Sequence, residues 1–149
     1  MQTFLPFRSF EQTAEVLDYR RLGKQRVEAW QILDAIEKRK QGITKGAWIN
    51  HPCVLMWQGF EIELVKYSIA ICQQWISRGY QDTMLSRFQA RLEQYQALNY
   101  PEQAPYFLGH EDFHQSHRSN LLKKDFAYYS QFFTEPTDIP YLWLFEEKA

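Results

Sequence analysis

Apolar residues recur every three or four positions along most of the chain, and no segment sustains a strict alternation of apolar and polar residues. This spacing matches an α-helix, whereas a half-buried strand needs a period of two. The pattern therefore predicts an all-α fold of about five to six helices with little or no sheet. Because no repeat or low-complexity linker interrupts the chain, we expect a single compact helical domain over residues 1–149.

Capping signals and the spacing of apolar residues set the predicted bounds of the first three helices. The capping box Ser9–Gln12 opens a short helix that ends near Asp18. A second helix is predicted from Tyr19 to Lys40 on its apolar spacing. A third begins at Asn50-His51-Pro52, because proline fits the first helical turn, and continues to Arg78-Gly79.

The second half of the chain is predicted to form three more helices and an extended aromatic tail. Aspartate residues cap two of these helices, and Pro140 disfavours a helix in the tail. The predicted segments are a helix from Asp82-Thr83 to Ala97, a helix from His110 to Lys123, a short helix from Phe126 to Phe133, and the tail Asp138–Phe145. The first eight residues form an extended lead-in.

Composition narrows the class of protein. Aromatic residues make up 17% of the chain, and such side chains both fill cores and stack on nucleobases. The net charge is −1 and the pI is about 6.4, which argues against a general polyanion binder but allows a local basic patch.

The number of cysteines and the hydropathy of the chain predict the cellular compartment. Cys53 and Cys72 are the only cysteines and form no CxxC pair, so we expect reduced, buried thiols. Both fall on the predicted third helix, too far apart for a disulfide. The chain has no segment typical of a signal peptide and no apolar run of the roughly 18 residues that a membrane span needs. We therefore expect a cytoplasmic protein without a membrane partner.

The second predicted helix carries a polar face. Arg21, Lys24, Gln25 and Glu28 follow an i, i+3, i+4, i+7 spacing, with Asp18 just before them. Since the apolar stripe lies opposite, this face is expected to point outward. One interpretation is a solvated face held by local side-chain contacts.

The other interpretation of this face is amine chemistry. Lys24 would attack a sugar aldehyde to form an imine, and Glu28 would move protons or stabilise a cation. A lysine amine has a reference pKa of about 10.4 and an α-amino group one of about 7.7–8.0. Met1 is therefore the better nucleophile if the N-terminus folds into the site.

Three histidines form a second candidate site. His110, His114 and His117 share one face of the fifth predicted helix, which allows a metal site that uses Glu111 as well. A second interpretation is a phosphate and base site formed by His117, Arg118, Ser119 and Lys124. The third is that these histidines are half-buried polar residues.

A third candidate lies at the start of the third helix. The free backbone amides after Asn50 and His51 attract anions. Trp57 and Gly59 follow, and they offer either a stacking ring with a close backbone approach or ordinary core packing.

Several segments together resemble a known bacterial family. They read MQTFLPF, LDYRRLGKQRVEA, NHPCVLMWQG, RGYQDT, FHQSHRSNLLKKD and PYLW. They resemble, over nearly the whole chain, a cellular branch grouped with the pyrimidine-dimer DNA glycosylases of the phage endonuclease V type. The resemblance implies a compact helical glycosylase with an associated AP lyase. Its N-terminal amine attacks the sugar C1′ and forms an imine, a glutamate assists, and arginines hold phosphates.

The family's residues carry over only in part. Residue 2 is the bulky Gln2, so we expect Met1 to be retained and to supply the amine. Arg21 occupies the position that aligns with the family's catalytic glutamate. The carboxylates nearest to this position in the sequence are those of Asp18 and Glu28. The expected catalytic residues are Met1, Lys24, Glu28, Asp18, His51 and His117, and the expected DNA contacts are Arg21, Gln25, Asn50, Arg118, Ser119 and Lys124.

The sequence leaves three functions open. The first is a DNA glycosylase with AP lyase activity that acts on a damaged or modified base through an imine, needs no cofactor and has DNA as its partner. The second is a non-catalytic nucleic-acid-binding module that uses the same basic face. The third is a metal-dependent hydrolase or nuclease built on the histidines.

Overall fold

The computed structural model describes residues 1–144, and these form seven α-helices and their connections, without a strand. This confirms the all-α prediction, with one helix more than expected. The helices are α1 (Phe10–Val16), α2 (Tyr19–Lys40), α3 (Pro52–Trp57), α4 (Glu61–Ser77), α5 (Leu85–Ala97), α6 (Glu111–Lys124) and α7 (Phe126–Tyr129). Residues 138–144 form no helix, as predicted for the tail. The last residue of the predicted tail, Phe145, lies outside the described residues, as does the end of the predicted domain.

Side-chain caps account for the start of the first two helices. The Ser9 hydroxyl accepts a hydrogen bond from the backbone N–H of Gln12 at 3.2 Å, as the capping box predicts. The Asp18 carboxylate accepts one from the N–H of Arg21 at 3.4 Å and so begins α2. The predicted range of α2 is confirmed.

The predicted third helix is wrong in one respect, because it is two helices. Gly59 has a φ of 92° between α3 and α4, a backbone conformation that suits glycine. Glu61 accepts a hydrogen bond from the Gly59 N–H at 3.0 Å and stabilises this turn. Cys53 and Cys72 therefore lie on different helices, and both thiols are free and buried. The last predicted helix also ends early, at Tyr129 rather than Phe133.

The core forms around α4, which packs against α1, α2 and α5. Mostly apolar faces of these helices meet there, and Trp57 of α3 is fully buried among them. The core interpretation of Trp57 is therefore confirmed. None of the helices in the described part of the chain is long and apolar enough to cross a membrane.

The extended lead-in is part of this core. Thr3 and Leu5 are essentially inaccessible to solvent, and the Thr3 hydroxyl accepts a hydrogen bond from the Trp57 indole at 3.0 Å. Residues 2–5, called the N-terminal strap below, are buried, whereas Met1 is only partly buried. The fold thus holds the start of the chain in a fixed position.

Candidate active site

The strap lies along the polar face of α2, and Gln25 holds it there. The Gln25 side-chain amide donates to the carbonyl of Gln2 at 2.6 Å, and its oxygen accepts from the hydroxyl of Tyr67 at 2.5 Å and from the N–H of Phe4 at 3.3 Å. Gln25 is fully buried. The expected outward position of Gln25 is therefore wrong, because the strap covers this part of the face, and its expected contact with DNA stays a prediction that this burial does not favour.

Glu28 lies one turn further along α2, beside the start of the chain. Its carboxylate accepts a hydrogen bond from the backbone N–H of Gln2 at 3.1 Å. That N–H belongs to the peptide bond that follows Met1. The structure therefore brings the carboxylate of Glu28 next to the residue that carries the α-amino group.

A cleft of about 990 Å³ opens at this point. Its charged lining residues are Arg20, Arg21, Lys24 and Lys124 on the basic side and Asp18, Glu28 and Asp125 on the acidic side. The cleft is thus lined by four basic side chains, three carboxylates and Met1, the residue that carries the α-amino group. Half of the site residues expected from the sequence share this one cleft.

The carboxylate of Asp18 accepts hydrogen bonds from two other side chains. It accepts from the hydroxyl of Tyr129 and from the guanidinium of Arg21, the latter at 3.1 Å. Burial acts to raise the pKa of Asp18, but these donors outweigh it and hold the pKa below its usual value. An ionised, fully engaged carboxylate orients Arg21 toward the cleft and is a poor proton donor.

The two lysines of the cleft differ from Arg21 in their ion pairing. Lys24 is exposed, and neither Lys24 nor Lys124 forms an ion pair with any residue in the range 1–144. Arg21, by contrast, is paired with Asp18. Within residues 1–144 the two lysines therefore have no acidic partner and can meet phosphate groups.

His51 approaches the start of the chain from the side of α3. Its Nδ1 accepts a hydrogen bond from the N–H of Cys53 at 3.0 Å and caps the helix. Burial, and then the positive charge of the nearby Met1 amine, lower the pKa of His51. A neutral imidazole close to the α-amino group is compatible with the predicted acid–base role.

Asn50 is engaged within its own loop. Its side-chain oxygen accepts from the Arg39 guanidinium at 2.7 Å, and its amide donates to the carbonyl of Thr44 at 3.2 Å. These bonds fix the loop before α3, and the expected contact of Asn50 with DNA stays a prediction.

The histidines of α6 point into the protein, which corrects two of the interpretations made from the sequence. His117 Nδ1 accepts from the N–H of Leu5 at 3.1 Å, and His114 Nδ1 donates to the carbonyl of Leu5 at 2.8 Å. His114 Nε2 accepts from the N–H of Gly109 at 2.9 Å. Both rings hold the strap and are almost fully buried, so the structure does not favour the expected catalytic role of His117, which stays a prediction. Within residues 1–144 no three potential ligands are grouped as a metal site would require.

The side chains of Arg118 and Ser119 also form hydrogen bonds within the protein. Arg118 donates to the carbonyl of Pro6 at 2.8 Å and pairs with Glu111 and Glu135. The Ser119 hydroxyl donates to the carbonyl of Pro136 at 2.5 Å. These bonds engage both side chains within the protein, and their expected contacts with DNA stay predictions.

The histidine contacts predict an acid-sensitive fold. Burial lowers the pKa of His117 to about 3 and also lowers that of His114, from an ordinary value of 6.5. Below pH 6.5 the unfolded chain gains protons that the folded chain does not bind, so the free energy of unfolding falls by up to about 1.4 kcal/mol per pH unit for each ring. Denaturant melts between pH 7.5 and 4.5 measure this slope.

Two variants check the origin of that slope. His117→Asn keeps an acceptor for the Leu5 N–H but removes one titrating ring, so it should flatten the slope. The exposed His110 is the control, and His110→Ala should leave the slope unchanged. An equal slope in all three proteins would contradict the assignment.

The sequence analysis does not single out two aromatic residues that the structure leaves exposed. Tyr19 is 52% exposed and stacks on Tyr80, with 6.5 Å between ring centroids, and Tyr80 stacks on Trp75 at 4.2 Å. Trp48, before α3, is 48% exposed. Periodicity cannot separate an exposed ring from a core ring, and the only local signal is that Tyr19 immediately precedes the basic run of α2.

Comparison with known proteins agrees with this geometry. Residues 1–88 match the family model of pyrimidine dimer DNA glycosylases, whereas no curated protein and no solved structure is significantly similar. The match covers the strap, α2 and His51, and leaves out only the part of the cleft that Lys124, Asp125 and Tyr128 provide. Because it spans more than half of the chain, the protein belongs to the pyrimidine dimer DNA glycosylase family and is a DNA glycosylase that acts on DNA.

Proposed function

We propose that this glycosylase releases a damaged or modified pyrimidine through an imine formed by the α-amino group of Met1, and that it then cleaves the strand as an AP lyase. The observation that carries the proposal is the position of Met1. Met1 lines a basic cleft, and the carboxylate of Glu28 lies 3.1 Å from the first peptide N–H of the chain.

The chemistry needs a nucleophile and a group that moves protons. The unprotonated amine attacks C1′ while the Glu28 carboxylate stabilises the positive charge that develops on the sugar and the amine, the C1′–N bond breaks, and the departing base takes up a proton from water. The amine then loses its proton to Glu28, which passes it to the ring oxygen O4′ as the sugar opens to the imine. Loss of a C2′ proton expels the 3′-phosphate, and water hydrolyses the imine and restores the amine.

The surroundings of Met1 suit a DNA strand. Lys24 and Lys124 supply charges for phosphate groups, and Arg21 is held in position by Asp18. Tyr19 also lines the cleft with an exposed ring on which a base or sugar can lie. A module that only binds nucleic acid would use the same cations but has no need of a carboxylate beside the N-terminus.

Borohydride trapping tests the proposal. The protein is incubated with duplexes that carry one abasic site or one cyclobutane pyrimidine dimer, reduced, and mapped by peptide mass spectrometry. We expect a covalent adduct on the N-terminal peptide with both duplexes. Binding without an adduct would overturn the imine mechanism and leave direct hydrolysis.

A further inference from the structure

The backbone of the N-terminal strap is bound by side chains of the surrounding helices. The described residues 1–144 contain no strand that could pair with it. Instead, the N–H and C=O groups of residues 2, 4 and 5 all form hydrogen bonds with side chains of α2, α4 or α6. Because an unpaired backbone group is costly to bury, these bonds fix the register of the strap on the helices.

Residue 2 is held through both of its backbone groups. Glu28 accepts from the Gln2 N–H at 3.1 Å, and the Gln25 side-chain amide donates to the Gln2 carbonyl at 2.6 Å. The side chain of Gln2 folds back, and its oxygen accepts from the N–H of Thr3 at 3.0 Å. With its N–H and its C=O both fixed, residue 2 sets the direction in which Met1 extends from the strap.

Tyr67 of α4 orients Gln25. Its hydroxyl donates to the side-chain oxygen of Gln25 at 2.5 Å, and the N–H of Phe4 lies 3.3 Å from that oxygen and 3.2 Å from the hydroxyl. Since donors meet the oxygen, the NH₂ group of Gln25 is directed at the Gln2 carbonyl. The side chains of Gln25 and Tyr67 are both inaccessible to solvent, so water does not compete for these bonds.

We infer that Gln25 is a positioning residue for the α-amino group of Met1, and that Tyr67 acts through it. The inference rests on the proposed function, because it takes this amine as the nucleophile. A nucleophile must be held close to its attack geometry, and a displacement of about 1 Å can lower the rate about 10²-fold. Neither Gln25 nor Tyr67 lines the basic cleft, so neither side chain should contribute to the affinity for DNA.

Two variants test the inference by borohydride trapping on an abasic duplex, in single turnover with protein in excess. Tyr67→Phe removes one hydroxyl and keeps the ring, and Gln25→Met keeps the length of the side chain without its hydrogen bonds. We expect the trapping rate at saturating protein to fall about 10-fold in Tyr67→Phe and about 100-fold in Gln25→Met. The half-saturating protein concentration should stay within about twofold, since no phosphate contact is lost. The double variant should match Gln25→Met, because residues that act as a unit are not additive.

Ser68→Ala is the matched control. Ser68 follows Tyr67 on α4, is equally buried, and donates to the carbonyl of Leu64 at 2.7 Å within its own helix. Its loss should lower the melting temperature but leave the trapping rate unchanged, with every variant assayed well below its melting temperature.

Three results would overturn the positioning role: an unchanged rate in Tyr67→Phe, a loss confined to the half-saturating concentration, or an equal loss of rate in Ser68→Ala. If Gln25→Met does not fold, Tyr67→Phe and its control decide alone. A wild-type protein that binds the duplex but gives no adduct would instead overturn the proposed function, and the role of Gln25 with it.

Discussion

Adding one residue before Met1 is expected to abolish borohydride trapping on abasic DNA, with a loss of at least about 10³-fold, as expected when a covalent nucleophile is removed. The extension turns the α-amino group into a peptide nitrogen, which is not nucleophilic. The strap is buried and anchored by Gln25 and Glu28, so the new N-terminus cannot take the position of the old one. Intact-mass spectrometry first establishes that Met1 is the first residue of the purified protein.

Lys24 is the competing nucleophile and supplies the control. Lys24→Ala should bind DNA more weakly, yet it should still give an adduct on the N-terminal peptide at saturating protein. An adduct on the peptide that contains Lys24, or undiminished trapping by the extended protein, would assign the imine to the lysine.

Glu28→Gln is expected to lower the single-turnover rate of base release by about 10²- to 10⁴-fold, the usual contribution of a positioned acid–base group. The glutamine keeps an oxygen that can accept the hydrogen bond from the Gln2 N–H, so the strap and the melting temperature should change little. The dissociation constant for DNA should not weaken, since no positive charge is lost. Rapid-quench assays on a pyrimidine-dimer duplex and a binding titration measure the two quantities.

The matched control is Glu63→Gln. Glu63 lies on α4 and pairs with Lys66, outside the basic cleft. Its substitution should leave base release within about twofold, as is usual for surface changes. Full activity of the Glu28→Gln variant would exclude an acid–base role for Glu28. A large fall in the melting temperature of this variant would show that Glu28 acts on stability instead.

The sequence predicts the fold well where local signals decide it. The spacing of apolar residues predicts α2 over its observed range. The break at Gly59 is missed because apolar residues recur at helical spacing on both sides of it, so periodicity alone continues the helix.

The site is predicted only in part, because helical spacing says which residues share a face but not what covers that face. Lys24 and Glu28 reach the cleft as expected. Gln25, on the same face, is buried by the strap, and His117 is turned inward by contacts with Leu5. These contacts join residues far apart in the sequence, which no local pattern encodes.

The anchoring of the strap has a consequence for how the enzyme matures. The hydrogen bond between Leu5 and His117 closes a loop of more than a hundred residues. It therefore forms only after α6 has been synthesised and has met the strap. A nascent or truncated chain that lacks α6 therefore lacks the contacts that His114 and His117 make with the strap. On the proposed mechanism, full reactivity toward DNA is therefore expected only once α6 has folded against the strap.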